Sequence, residues 1–472
     1  MVSRRTVLTA GALGAGALGA GAIALSARAA SKGSPSHEHD VIIVGGGFAG
    51  LTAARELKRL GQRCLILEAR SRLGGRTFST TVFGQPEDVG GQWIHWIQPH
   101  IWSEVTRYGI SLVETPGAAT PEKVGVLTDG GLVTQDPAEN FAILQRAMRD
   151  VCAESRELFP QPFAPKLDDR FVKLDRLSVQ DRLNSLQLDP LTRAAITAYV
   201  TTNVNAAPRD AGLLDQIHWY ARAGHDMERL LQACAQFKMR EGTVRLINCL
   251  RDDAGCEVEL SCPVRRIEGS TDGVVAFAED GRKFSAKAMI VALPMNCWTD
   301  IEWKPGIRPE KLAASRRRHA GSGFELHVLV EGNPGSYMAM APLPNPINLL
   351  YTDKRDARGT VMVGLGTSAV DFDLTDDEAI AREVRRLMPS AKVKAAFAYD
   401  WNADPYSKGT WCNYRPGMWT ADGAAMRAPE GRIVFAGSDT ADGWRGFIDG
   451  AVETGLRAAR ETAAVLGLRL SA

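Results

Sequence analysis

Apolar and polar residues along the chain fall into blocks whose lengths separate strands from helices. Val41, Ile42, Ile43 and Val44 form an unbroken apolar run. A run this short and continuous predicts a strand buried on both faces, as in a parallel sheet. Residues 51–60 then repeat apolar positions at helical spacing until Gly61 stops them, and 64–67 form another short apolar run that ends at Glu68. Residues 432–435 read as a last parallel strand running into a glycine-rich turn. Helical spacing recurs at 142–158, 191–200 and 226–237, and strand-like runs stand at 324–330 and 360–365. Strands interleaved with helices in this way predict an α/β fold. The apolar runs beyond residue 30 are strand-length, so no internal membrane helix is expected.

The first thirty residues follow a different pattern. Arg4 and Arg5 precede an Ala/Gly/Leu run that reaches Leu25, followed by Ser26-Ala27-Arg28-Ala29-Ala30. A charged start, an apolar middle and a small-residue end describe a signal peptide over 1–30. The paired arginines resemble a twin-arginine export signal, with Val7 where that pattern prefers Phe. The run is poor in the large apolar residues that drive membrane insertion. A cleaved leader is therefore expected, with the protein exported to the periplasm or another extracytoplasmic space.

Composition narrows the class. The 472 residues are 45% hydrophobic and 24% charged, enough for large packed cores and unlike a disordered or fibrous chain. The 56 basic and 55 acidic residues leave a charge of +1, and loss of the leader removes three arginines and no acid, turning +1 into −2. Nucleic acid is not an expected partner, because such domains are usually strongly basic. The eight cysteines form no CxxC pair, and the eight histidines show no zinc-type spacing. Free core cysteines and no metal are the expectation.

The first strand and helix enclose Gly45-Gly46-Gly47-Phe48-Ala49-Gly50. Gly45 permits a tight turn, Gly47 lets backbone approach a pyrophosphate, and Gly50 allows close helix–strand contact. The helix start, with Ala49 in its first turn, offers unpaired N–H groups to phosphate. Glu68, at the end of the second strand, is placed to accept hydrogen bonds from ribose hydroxyls and disfavours a 2′-phosphate. FAD or NAD is thus expected over NADP.

The next segments decide between the two. Arg70-Ser71-Arg72-Leu73-Gly74-Gly75-Arg76-Thr77 follows the acid directly. Arginine offers paired donors to phosphate, and adjacent glycines keep side chains out of a cofactor's path. Gly90-Gly91-Gln92-Trp93-Ile94, Glu241-Gly242-Thr243, Cys262-Pro263-Val264-Arg265-Arg266-Ile267 and Val291-Ala292-Leu293-Pro294 come later. Gly437-Ser438-Asp439 and Gly443-Trp444-Arg445-Gly446-Phe447-Ile448 stand near the end. With these motifs in this order, the chain resembles the flavin-containing, monoamine oxidase-like amine oxidase family over nearly its whole length. His95-Trp96-Ile97-Gln98-Pro99-His100 is most similar to the bacterial nicotine and pseudooxynicotine oxidoreductases within it.

The resemblance implies an α/β fold whose FAD-binding, Rossmann-like domain of the glutathione-reductase type is assembled from 38–94, 236–299 and 402–472. The pieces 95–235 and 300–401 would form an α+β substrate domain with a mixed sheet and a helical part. It implies that Arg70, Gly74, Gly75 and Arg76 line the FAD diphosphate and ribityl chain. Gly91, Gln92 and Trp93 would run beside the flavin ring, and the Val264 backbone would meet the adenine. Trp401 would pack at the flavin side, and Ile448 would open the closing helix toward the cofactor. Asp439 would reach the ribityl chain where family members often carry Glu.

Trp411 and Phe447 fall at the two positions where the family places aromatic rings on either side of the substrate nitrogen. Two departures from the family stand out. Some members attach FAD through a cysteine just before the first of these aromatics, but here Thr410 stands there, and Cys412 lies two residues later on the alternate side of a strand. Non-covalent FAD is expected. The family's lysine at flavin N5 has no counterpart: Glu325 occupies its place, and Lys304 and Lys311 precede the strand. Glu325 is expected to oppose reaction with oxygen, to pair with a substrate ammonium, or to be a satisfied strand residue.

The expected activity is oxidation of a small, alkaloid-like amine by hydride transfer from its α-carbon to flavin N5. The imine would then hydrolyse, and O2 or a redox protein would take the electrons. A flavin-dependent C–C desaturase, an L-amino-acid oxidase and a non-catalytic FAD-binding protein are the rival readings. Family members often dimerise, so the resemblance also allows a homodimer.

Overall fold

The run at 41–44 becomes the strand His39–Val44, with Cys64–Leu67 parallel on one side and Lys283–Val291 parallel on the other. These positions are described in a computed structural model covering residues 38–468 apart from 164 and 166. The expected leader lies outside the described residues. Val41, Ile42 and Ile43 are fully buried, as a strand covered on both faces requires. Glu257–Glu259 extends the sheet beyond Cys64–Leu67, and Ile433–Phe435 pairs in parallel with Lys283–Val291. An antiparallel strand, Val274–Ala278, joins Val264–Gly269 to the other edge.

The helices Phe48–Arg59, Thr243–Ala254 and Ile448–Val465 share one core with this sheet. The first helix packs so tightly on its own turn that a Cβ on Gly50 would lie 2.1 Å from the Gly45 carbonyl oxygen. Gly45 itself holds φ +109°, a conformation open to glycine. The reading of a tight turn with close helix packing is met by both residues.

A second, seven-stranded sheet runs in the order Val393–Asp400, Gly323–Val330, Gly359–Thr367, Leu349–Asp356, Tyr337–Met340, Lys123–Thr128, Gly131–Gln135. The runs foreseen at 324–330 and 360–365 pair antiparallel, from Gly323 opposite Thr367 to Val330 opposite Thr360. Tyr337–Met340 and Lys123–Thr128 are parallel, so the sheet is mixed.

Helical expectations hold with altered ends. The segment 191–200 lies within Pro190–Val204, whose first N–H groups are capped by the Asp189 carboxylate. The segment 226–237 is Met227–Ala235, capped by Asp226, while Phe237 belongs to the short strand Phe237–Met239. The segment 142–158 is two helices, Pro137–Val151 and Ser155–Leu158, because the chain leaves helical geometry at Cys152. No helix among the described residues is long and apolar enough to cross a membrane.

Candidate active site

The glycine turn opens on a cavity of about 810 Å3. Gly45, Gly47, Ala49, Gly74, Gly75 and Arg76 form one part of its wall. Here the helix Phe48–Arg59 starts with no side-chain cap and no acid in its first turn, leaving its positive end open to an anion. Gly47 and Gly75 face each other, and a Cβ on Gly75 would lie 3.6 Å from the Gly47 Cα. Side chains at these positions would fill the slot, so the wall has the form of a diphosphate cradle.

Glu68 is buried and accepts the Gly46 N–H and the Arg70 N–H, both at 2.8 Å. It remains on the cavity wall, with Arg70 beside it. The Arg70 guanidinium donates to Asp404 at 2.6 Å and to Ser407 at 2.8 Å, and Val264 lies on the wall beyond. Arg76 donates to the Thr410 carbonyl and the Ser438 hydroxyl, each at 2.8 Å, and pairs with Asp439. One arginine thus ties its own stretch to two remote ones, at 410 and at 438–439.

All but two of the residues singled out from the sequence line this cavity; Gly50 and Asp439 stand behind its wall. Gly50 serves the helix–strand contact described above. Asp439, expected to reach the ribityl chain, has one oxygen on Arg76 and the other accepting the Met295 N–H at 2.9 Å. Burial opposes its charge, but Arg76 beside it holds the carboxyl below the usual range.

Trp93 donates its indole N–H to Thr115 at 3.1 Å, and Trp401 donates to the Val89 carbonyl at 2.8 Å. Gly91 and Ile448 also line the wall, and a Cβ on Gly91 would lie 3.9 Å from Ile448 Cγ1. Glu325 accepts from the Gln92 amide at 3.0 Å and pairs with His327 Nε2 at 3.1 Å, both through Oε1. Burial pushes its carboxyl up, and His327 works against that shift. Lys311, one of the lysines weighed against Glu325, is fully buried elsewhere and donates to the Ala425 and Ala428 carbonyls.

Trp411 donates its indole N–H to the Asn203 carbonyl at 2.8 Å. The Phe447 ring meets the Trp219 ring edge-on at 4.7 Å and the Trp444 ring at 5.1 Å. Both Trp411 and Phe447 line the cavity, where Phe141, Leu144, Tyr199, Leu231 and Met340 add an apolar wall. The expectation that Cys412 sits on a strand is corrected: 410–413 is irregular and hydrogen-bonds to 320–321. Cys412 is fully buried, and burial pushes its thiol well above 9.

Sequence reading missed Asn203, Asp215 and Trp219. The helix Leu213–Arg222 is buried on every face, so its polar side, Asp215, His218 and Arg222, is covered by other elements instead of facing solvent. The four-residue spacing of Asp215 and Trp219, which puts both on one helix face, is the signal that could have marked it. His100, Asp449 and Glu453 also come within 4.8 Å of one another. Asp449 accepts the His100 and Ile101 N–H groups, and Glu453 those of Asp442 and Gly443, so the carboxylates cap backbone.

Comparison with known proteins adds three findings. The family pattern described as flavin containing amine oxidoreductase matches residues 48–463. A pseudooxynicotine dehydrogenase of a Pseudomonas species is 36% identical over 433 residues, covering 91% of this chain and 87% of that protein. A nicotine dehydrogenase of Pseudomonas putida is 36% identical over 466 residues, covering 98% and 96%. Among solved structures, a redesigned putrescine oxidase superposes with a TM-score of 0.79 at 21% identity, covering 90% of this chain and 99% of that one, a likeness of fold.

Proposed function

Since the chain belongs to the flavin containing amine oxidoreductase family, with FAD as cofactor and an amine as the compound oxidised, we propose that it acts on a compact, alkaloid-like amine. The class is that of nicotine and pseudooxynicotine, the compounds named for its relatives at 36% identity.

The observation that supports this reading is that Trp411 and Phe447 both line a wall poor in positive charge. Among the described residues, the cationic lining groups are Arg70, Arg76 and Arg265, all in the stretches that form the dinucleotide part. The helical part of the wall offers Glu228, and the second sheet offers Glu325. That arrangement suits an amine and gives no clamp to a substrate carboxylate, which weighs against an amino-acid oxidase. A desaturase acting on C–C bonds has no need of two rings placed for a nitrogen.

Aromatic faces attract the cationic amine on its way in, and an apolar cage then disfavours the protonated form and frees the lone pair. Trp411 and Phe447 orient the nitrogen, while Phe141, Leu144 and Leu231 exclude water. FAD, when bound, accepts the hydride from the carbon beside nitrogen. Thr410 at the attachment position and the buried, protonated Cys412 support FAD held without a covalent bond. The oxidised amine leaves and hydrolyses to a carbonyl compound and a smaller amine.

Anaerobic mixing of the purified holoenzyme with an amine panel tests this, with flavin absorbance as the readout. Nicotine-like secondary and tertiary amines are expected to bleach the flavin, and amino acids are not. Bleaching by no amine would overturn the reading. Admitting oxygen or cytochrome c afterwards identifies the electron acceptor.

A further inference from the structure

The helix Leu213–Arg222 carries a buried carboxylate, Asp215, that the reading above does not use. It accepts the Tyr414 N–H, the Trp419 indole N–H at 2.6 Å and the Arg445 guanidinium at 2.6 Å. Arg445 is itself held between two rings, its guanidinium carbon 3.7 Å from the Tyr414 centroid and 4.2 Å from that of Trp419. Two of these donors come from the segments that carry the two aromatics: Tyr414 from 411–414 with Trp411, and Arg445 from 444–447 with Phe447.

The same helix makes two more attachments. One turn beyond Asp215, Trp219 sets its ring edge-on to Phe447 at 4.7 Å. Next to Asp215, Gln216 accepts from Asn203 at 3.1 Å, and the Asn203 carbonyl receives the Trp411 indole N–H at 2.8 Å. The two segments also touch directly, since a Cβ on Gly446 would lie 2.8 Å from the Cys412 carbonyl oxygen. A buried ion pair is a poor source of stability, because desolvation cancels much of its attraction. Its value here is directional: the Tyr414 N–H and the Arg445 guanidinium, one from each segment, converge on one carboxylate, which both reach only when the segments keep one spacing.

We propose that Asp215 is a positioning residue for amine oxidation, setting the separation of Trp411 and Phe447 from the Leu213–Arg222 helix and thereby the bulk of nitrogen substituent the site admits. This rests on the reading that the amine lies between those rings.

The test uses FAD-loaded Asp215→Asn protein labelled with 5-fluorotryptophan, the Trp411 fluorine signal being identified by its loss in Trp411→Phe. The D215N holoenzyme is expected to keep its FAD stoichiometry and to shift the Trp411 signal. Its kcat/KM ratio between a small and a bulky N-substituted amine should change roughly tenfold, as expected for misplacement of a reacting group by a fraction of an ångström. The double variant D215N/R445Q removes both charges together and carries the same measurements if D215N fails to hold FAD. An unmoved Trp411 signal with an unchanged amine ratio overturns the proposal. So does a uniform fall in rate for all amines with that signal unmoved. If the wild-type enzyme oxidises none of the amines, the functional reading falls, and the fluorine signals alone decide whether Asp215 sets the gap.

Discussion

Glu325 shows how one residue's surroundings set its chemistry. Its place on a strand, two residues from His327 on the same face, is readable from 324–330, but the Gln92 contact comes from a partner 233 positions away. Oxygen reduction builds negative charge in the cavity, which a carboxylate opposes and an ammonium favours. Glu325→Lys is therefore expected to speed flavin reoxidation by oxygen about tenfold, equivalent to roughly 1.4 kcal/mol of barrier. Stopped-flow absorbance reads this, and an unchanged rate would refute it. Burial raises this carboxyl's pKa. The stability contributed by its neutral form is thus present below the unfolded carboxylate range and lost as pH rises through the raised value. Glu325→Gln should raise Tm more at pH 8 than at pH 5, and equal gains at both would show that the buried carboxyl carries no such penalty.

At the level of elements, the glycine-bearing helices pack directly on one another beside the glycine turn. A Cβ on Gly455 would lie 2.5 Å from the Ala49 carbonyl oxygen, so the Ile448–Val465 helix rides directly on the start of Phe48–Arg59. Gly455→Ala is expected to push these helices apart at a cost of about 1–3 kcal/mol, lowering Tm and releasing FAD on dilution. Retained FAD at an unchanged Tm would contradict it. The strand–turn–helix–strand at 41–68 was legible because its signals are local: continuous apolar runs, a glycine turn and an acid. The break at Cys152 and the burial of the polar side of Leu213–Arg222 were not, because both depend on what packs around them.

For the molecule as a whole, burial sets the pH range. His319 is buried with both ring nitrogens unpartnered, and burial lowers its pKa to about 4. Stability from its neutral form is present above the unfolded histidine value near 6.5 and is lost as pH falls toward about 4. This amounts to about 3 kcal/mol. His319→Gln should flatten the fall in Tm between pH 7 and pH 4.5, and an unaltered profile would assign that fall to other groups. Export is proposed from Arg4 and Arg5. Replacing both by Lys should retain the uncleaved protein in the cytoplasm, as fractionation would show, and normal export would remove the proposal. The sequence by itself determined the glycine turn and the acid after the second strand, because short spacings encode turns and helix starts, while the arginines beside them and the two aromatic positions were marked by resemblance to the family. Only the tertiary structure decided that Asp439 acts on Arg76, that Glu325 faces Gln92, and that Asp215 joins the two aromatic segments. Those contacts link residues far apart in the chain, and packing of the whole core sets which of them meet.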